Sequence, residues 1–226
     1  MLRKSLLTIF IILFVDQFTK IYIKTHFYLG QEVDVLGDWF KLCFVENEGM
    51  AFGATLPIPN AKLILSSFRV VAVGALAYYL WTIIRDQSQK LYIISMSLIF
   101  AGALGNIIDS VFYGFMFEES AFHLPIASSI FSDDFQGGYA GVLYGNVVDM
   151  LYFPIFNGTY PEWIPKIGGD RFTFFSPIFN IADAAITVGV AIILLYQKRF
   201  FPKEKDQSSD NVTEENTDSL AAPSAD

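Results

Sequence analysis

Four stretches of mostly apolar residues, at about 5–24, 62–84, 91–112 and 177–197, constrain this chain more than any other feature. A helix needs about 20 such residues to cross a bilayer, so the pattern predicts four transmembrane helices. Arg3 and Lys4 ahead of the first stretch resemble the start of a signal peptide. Asp16, Gln17 and Lys20 interrupt its apolar run, however, and no small-residue cleavage site follows, so it reads as a retained span. The composition agrees: 53% of the residues are hydrophobic, 16% aromatic and only 17% charged, which suits lipid contact and interfacial belts better than a water-soluble core. A net charge of −8 argues against a nucleic-acid binder. The lone Cys43 excludes an internal disulfide framework and reads as a small buried or interfacial residue. With only His26 and His123 beside it, a zinc site is disfavoured.

Lys and Arg near the span ends set the orientation. Arg3 and Lys4, Arg85 and Lys90, and Lys198, Arg199, Lys203 and Lys205 place both termini and the 85–90 loop in the cytoplasm. Segments 25–61 and 113–176 then face the other side and are expected to hold short strands at the membrane surface. The tail 203–226 carries seven acids against two lysines and no aromatic residue, so it is expected to be disordered.

With that orientation, Asp16, Lys20, Arg69, Asn106, Asp109, Asn180 and Asp183 all fall in the outer leaflet, at 1.5 Å of rise per residue. A charge at the bilayer centre costs about 2.5–3.5 kcal/mol on insertion scales, so such a gathering looks like a site. The bland readings stand beside it. Asp16 and Lys20, four apart, can simply pair with each other. Asn106 can be interhelical glue, and Ala101, Gly102, Ala103, Gly105, Ala182, Ala184, Ala185 and Gly189 can serve close packing. Neither explains the carboxylates. Asp149 lies outside the spans, embedded in the apolar run GNVVDMLYFPIF. Two carboxylates in a poorly hydrated place share a proton, so one can act as base on water while the other donates, as in aspartic proteases. Asp149 and Asp183 suit that chemistry. Asp133 and Asp134 sit in a polar turn-like stretch and read as solvated.

The chain resembles the signal peptidase II family, the bacterial inner-membrane aspartyl peptidases that process lipoproteins. The resemblance rests on VDQFTK (15–20), NEGMAFG (47–53), GNIID (105–109), VVDM (147–150) and FNIADAAI (179–186), five blocks in the family's order over about residues 5–197. It implies an α-helical membrane protein of four transmembrane helices with a small extracytoplasmic β-cradle and a short surface helix. The cradle would come mainly from 25–61 and part of the third loop. The expected organisation is one peptidase domain over 1–202, an inserted extracytoplasmic loop at about 114–146, and the acidic cytoplasmic tail 203–226.

The implied reaction is removal of the signal peptide from diacylglyceryl-modified prolipoproteins, with cleavage before the lipidated cysteine and the active site near the outer membrane face. By position, Asp149 and Asp183 match the catalytic dyad. Asn47, Gly49, Asn106, Asp109, Asn180 and Ala182 match positions that shape or line the site, and Asp16 and Lys20 match a supporting pair. The resemblance implies a monomer without metal or organic cofactor, in contact with membrane lipid and sensitive to cyclic peptides of the globomycin type.

Ser110 stands where the family usually has an arginine. A hydroxyl cannot replace a guanidinium fork, so an ion pair to Asp109 is expected from elsewhere, Arg171 or Arg69 being the candidates. The competing function is a small proton-coupled transporter, since intramembrane Asp, Asn and Lys also suit proton relays. Against it, the inner halves of the spans are nearly all apolar and no inverted repeat is visible. HExxH is absent, and IGGD at 167–170 lacks the first glycine of the GxGD pattern.

Overall fold

The computed structural model describes residues 1–48, 60–122, 138–174 and 177–202. Three helical runs, Leu2–His26 (α1), Ala61–Arg85 (α2) and Lys90–Met116, are long and apolar enough to cross a membrane. The third comprises α3 (Lys90–Ile108), a π-helical turn (Asp109–Tyr113) and the short α4 (Gly114–Met116). It therefore continues past the expected end at 112.

The fourth helix departs further from expectation. α5 covers only Ile181–Leu195, followed by the four-residue α6 (Gln197–Phe200). Fifteen residues rise about 22 Å, short of the ~30 Å hydrocarbon core. The helix starts at 181 rather than 177 because Asn180 caps it: its side chain accepts from the Asp183 N–H at 2.9 Å, and the Asp183 carboxylate accepts from the Asn180 N–H at 3.4 Å. This is a capping box, which forces Asn180 out of helical geometry.

Two sheets lie outside the helices. β1 (Glu32–Leu36), β2 (Phe40–Asn47), β3 (Val147–Tyr152) and β6 (Ile178–Phe179) form an antiparallel sheet in the order β1-β2-β3-β6. β4 (Phe156–Thr159) and β5 (Arg171–Phe174) form a separate ribbon. The expected cradle is thus built from 25–61 and the third loop, with β6 taken from what the hydropathy pattern assigned to the fourth span. Among the described residues of 27–60 and 114–176 the only helical piece is α4, which continues α3; residues 49–59, 123–137 with Asp133 and Asp134, and the tail 203–226 lie outside the described ones.

α1 shows how one helix serves both lipid and core. Phe10, Phe14 and Phe18 are exposed and stack at successive four-residue steps with centroids 6.1 Å apart, while Asp16, Lys20, Ile23 and Lys24 are buried on the other side. Ile23, Phe44, Tyr113, Phe117, Val148 and Met150 then join the C-terminal end of α1 to the sheet and to the turn after α3.

The small residues of α3 and α5 permit close contact between the helices. A Cβ on Gly102 would stand 2.2 Å from the Ala182 carbonyl oxygen and 2.7 Å from Ile186 Cγ1. Gly102→Val is therefore expected to part the helices and destabilise the protein by at least the ~1–3 kcal/mol of ordinary overpacking. A lowered melting temperature in detergent, with loss of activity, checks this.

Candidate active site

Asp149 lies on β3, in the buried run Val147–Met150. Asn47 is registered opposite Val147 across the β2–β3 pair, so Asp149 is its diagonal neighbour on the same face. The Asn47 amide donates to Asp149 Oδ2, and the Asn180 amide donates to Oδ1 at 2.7 Å. Asp183 approaches from the first turn of α5 and accepts from Asn106 Nδ2 at 2.8 Å. Asn180 bridges the two acids: its amide nitrogen holds Asp149 and its amide oxygen accepts from the Asp183 backbone. Burial and the nearby Asp183 charge push the Asp149 carboxyl up to about 7, against the opposing pull of the two amides and of Lys20.

Beneath the acids lies a charge cluster. The Lys20 ammonium has three donors, and it places them on Asp16 at 3.0 Å, Asp109 at 2.8 Å and the Asn106 amide oxygen at 2.9 Å, with all three charged groups fully buried. The counter-charge to Asp109 is thus Lys20, not Arg171 or Arg69. Lys20 stands one helical turn from Asp16 and directly faces α3, whereas Arg171 is exposed on the β4–β5 ribbon. The Ser110 hydroxyl donates to the Asn106 carbonyl at 3.1 Å. Asp16 also receives the Ala182 N–H at 2.9 Å, fixing the first turn of α5 against α1. The contribution of Ala182 is therefore a backbone donor and a fully buried small side chain.

Gln17 and Tyr113 are two further members of the cluster. Gln17 donates to Asp16 at 3.1 Å, to Asp109 at 2.9 Å and to the Gly105 carbonyl at 3.2 Å, and accepts from the Tyr113 hydroxyl at 3.2 Å. A glutamine inside an apolar span beside an aspartate was the available signal; Tyr113 offered none. Gly49 lies outside the described residues. Cys43 is buried, as its type suggested, and burial with the nearby Glu32 pushes its thiol up to about 11, which keeps it protonated and unreactive. Among the described residues, no buried side-chain nitrogen or oxygen lacks a partner, and no group of three His, Cys, Asp or Glu is placed to hold a metal.

Sequence comparisons with known proteins point to one family. The profile of signal peptidase (SPase) II matches residues 8–199. A lipoprotein signal peptidase from Porphyromonas gingivalis is 46% identical over 192 residues, covering 84% of this chain and 81% of the relative. The lipoprotein signal peptidase of Amoebophilus asiaticus is 34% identical over 184 residues, covering 80% of this chain and 72% of the relative. A solved bacterial membrane enzyme superposes with a TM-score of 0.57 at 27% identity, over 90% of this chain and 93% of the other. The chain belongs to the signal peptidase II family.

Proposed function

We propose that this membrane protein removes the signal peptide from diacylglyceryl-modified prolipoproteins, cutting before the lipidated cysteine, with Asp149 and Asp183 as an aspartic dyad. The observation that carries this reading is the Asn180 bridge, whose amide nitrogen holds the buried Asp149 carboxyl on β3 while its amide oxygen caps the backbone of the half-buried Asp183 at the start of α5. Near neutral pH Asp149 carries the proton and Asp183 is the base. Asp183 takes a proton from water, whose oxygen attacks the scissile carbonyl carbon while protonated Asp149 hydrogen-bonds the carbonyl oxygen. Collapse of the tetrahedral species breaks the C–N bond. The amine of the lipidated cysteine leaves with a proton, and the signal peptide keeps the new carboxylate. Asn47 and Asn180 orient Asp149, and Asn106 orients Asp183.

The acyl chains remain in lipid at the outer face, with both termini and the 85–90 loop in the cytoplasm. Residues 1–202 act as one peptidase domain with the acidic tail 203–226 appended. The enzyme is expected to act as a monomer, and a globomycin-type cyclic peptide is expected to compete for the site. The proton-coupled transporter reading gains no support, because the buried acids of α1 and α3 share Lys20 in one cluster rather than lining a path.

Cleavage of a diacylglyceryl prolipoprotein by purified protein, followed by gel shift, tests the reading. The pH profile tests the assignment of the proton. Since Asp149 titrates near 7, raising the pH converts the acid to a second carboxylate, and kcat/KM is expected to fall about tenfold per unit above that point. A profile that stays flat to pH 9 would assign the proton elsewhere.

A further inference from the structure

A second buried polar cluster lies beside the dyad, and the reaction derived above does not use it. Lys24, one turn beyond Lys20 on α1, is fully buried. Its ammonium pairs with Glu46 Oε1, donates to Ser120 Oγ at 2.9 Å, and stands 5.2 Å from the Tyr139 ring and 5.4 Å from that of Phe117. Glu46 also accepts from the Ser120 hydroxyl at 2.8 Å and from the Asn146 amide at 3.1 Å, and Lys62 at the start of α2 donates to Asn146 Oδ1.

A buried ion pair is weak evidence for stability, since apolar residues of like volume often serve as well. Its place on the strand suggests another use. Glu46 directly precedes Asn47, and neighbouring strand side chains point to opposite faces. Glu46 is held by the cluster on one face while Asn47 meets Asp149 on the other. The β2–β3 register shifts between Leu42 and Val45, so ladder pairing further along the strand does not by itself fix which residue faces Asp149. A one-residue slip would turn Asn47 away.

We propose that Lys24 and Glu46 are positioning residues for the dyad, their buried pair locking the register of β2 so that Asn47 presents its amide to Asp149. The proposal rests on the reading of Asp149 as catalytic. The charged groups around the dyad are Asp183 itself on α5, Lys20 on α1 with its partners Asp16 and Asp109, and Arg69 on α2, within reach of the Asp183 charge. Around the second cluster stand Lys62 on α2, Glu48 after β2, and Tyr139, whose phenol burial holds well above its ordinary value and therefore neutral.

The test is the pH dependence of prolipoprotein cleavage in detergent for wild type, Asn47→Ala, the double variant K24M/E46Q, and the triple variant carrying all three. The double exchange removes one positive and one negative charge together, so the net field on Asp149 is preserved. Losing a hydrogen bond to the ionised form raises a carboxyl pKa. The alkaline limb is expected to move up by about half to one pH unit, with kcat falling roughly tenfold and KM staying within about twofold. Adding Asn47→Ala should change neither further, because both changes act through one hydrogen bond. A double variant with the wild-type limb and kcat but a lower melting temperature would overturn the proposal, and so would effects that add to those of Asn47→Ala. Where the double variant does not fold, Ser120→Ala removes a single hydroxyl from Glu46; a smaller shift in the same direction is expected, and an unmoved limb overturns the proposal. Full turnover by Asp149→Asn would remove the dyad reading itself, an outcome distinct from a silent K24M/E46Q.

Discussion

Asp149→Asn and Asp183→Asn should each lower kcat by about a thousandfold or more while leaving the protein folded, and combining them should cost little beyond either alone. Both exchanges preserve size and some hydrogen bonding, so they isolate the chemistry. An amide cannot take a proton from water or donate a carboxylic one, and with one partner disabled the other has no complementary step to perform. At Asp149 the amides of Asn47 and Asn180 both point toward the carboxyl, and one of them must reorient to meet the new NH2 group. At Asp183 the exchange also touches the helix cap, where the carboxylate accepts from the Asn180 N–H at 3.4 Å. An asparagine oxygen can keep that bond, so α5 should form normally. Gel-shift turnover together with melting curves measures both properties. Near-normal turnover in either single variant would show that the dyad is misassigned.

Much of this site can be read in the sequence because polar residues stand out in an apolar span. Asp16, Lys20, Asn106, Asp109, Asn180 and Asp183 are conspicuous for that reason, and the structure brings all six together through hydrogen bonds or ion pairs. Asn47 and Asp149 lie outside the spans; the family motifs mark each as a site residue, but neither motif nor hydropathy joins strands more than a hundred residues apart, and their contact is visible only in the fold. The start of α5 escapes the hydropathy pattern for a different reason. Pro177, Ile178 and Phe179 extend the apolar run, so hydropathy counted them as membrane helix. The local signal was Asn180 followed three residues later by Asp183, a cap pattern, and it correctly ends the strand and begins the helix. The family's arginine position points to a guanidinium partner for Asp109, while the four-residue spacing assigns Lys20 to Asp16 alone. A lysine with three donors can serve two acids at once, which pairwise spacing rules do not anticipate. The Lys24–Glu46 pair joins a helix end to a strand, and no periodicity in the chain announces it.

Lys20→Met is expected to be the most damaging single change outside the dyad. It leaves Asp16 and Asp109 buried against each other without a counter-charge, and removing one partner from a buried pair costs about 3–5 kcal/mol. A large part of the chain's net stability would be lost, with a matching fall in melting temperature. The triple variant D16N/K20M/D109N separates charge from orientation. With no charge left in the cluster, stability should largely return, because the neutral amides can hydrogen-bond one another and Gln17. Activity should not return with it. Lys20 donates to Asn106 Oδ1 and so holds the amide nitrogen of Asn106 toward Asp183. Without the ammonium that orientation depends on Asn180, whose amide is already shared between Asn106, the Val148 carbonyl and Asp149. An amide free to flip offers Asp183 an oxygen for part of the time, and a roughly 10- to 100-fold lower kcat in a well-folded triple variant is the expected signature of a lost orienting contact. Recovery of full turnover together with stability would instead confine Lys20 to neutralising its two neighbours.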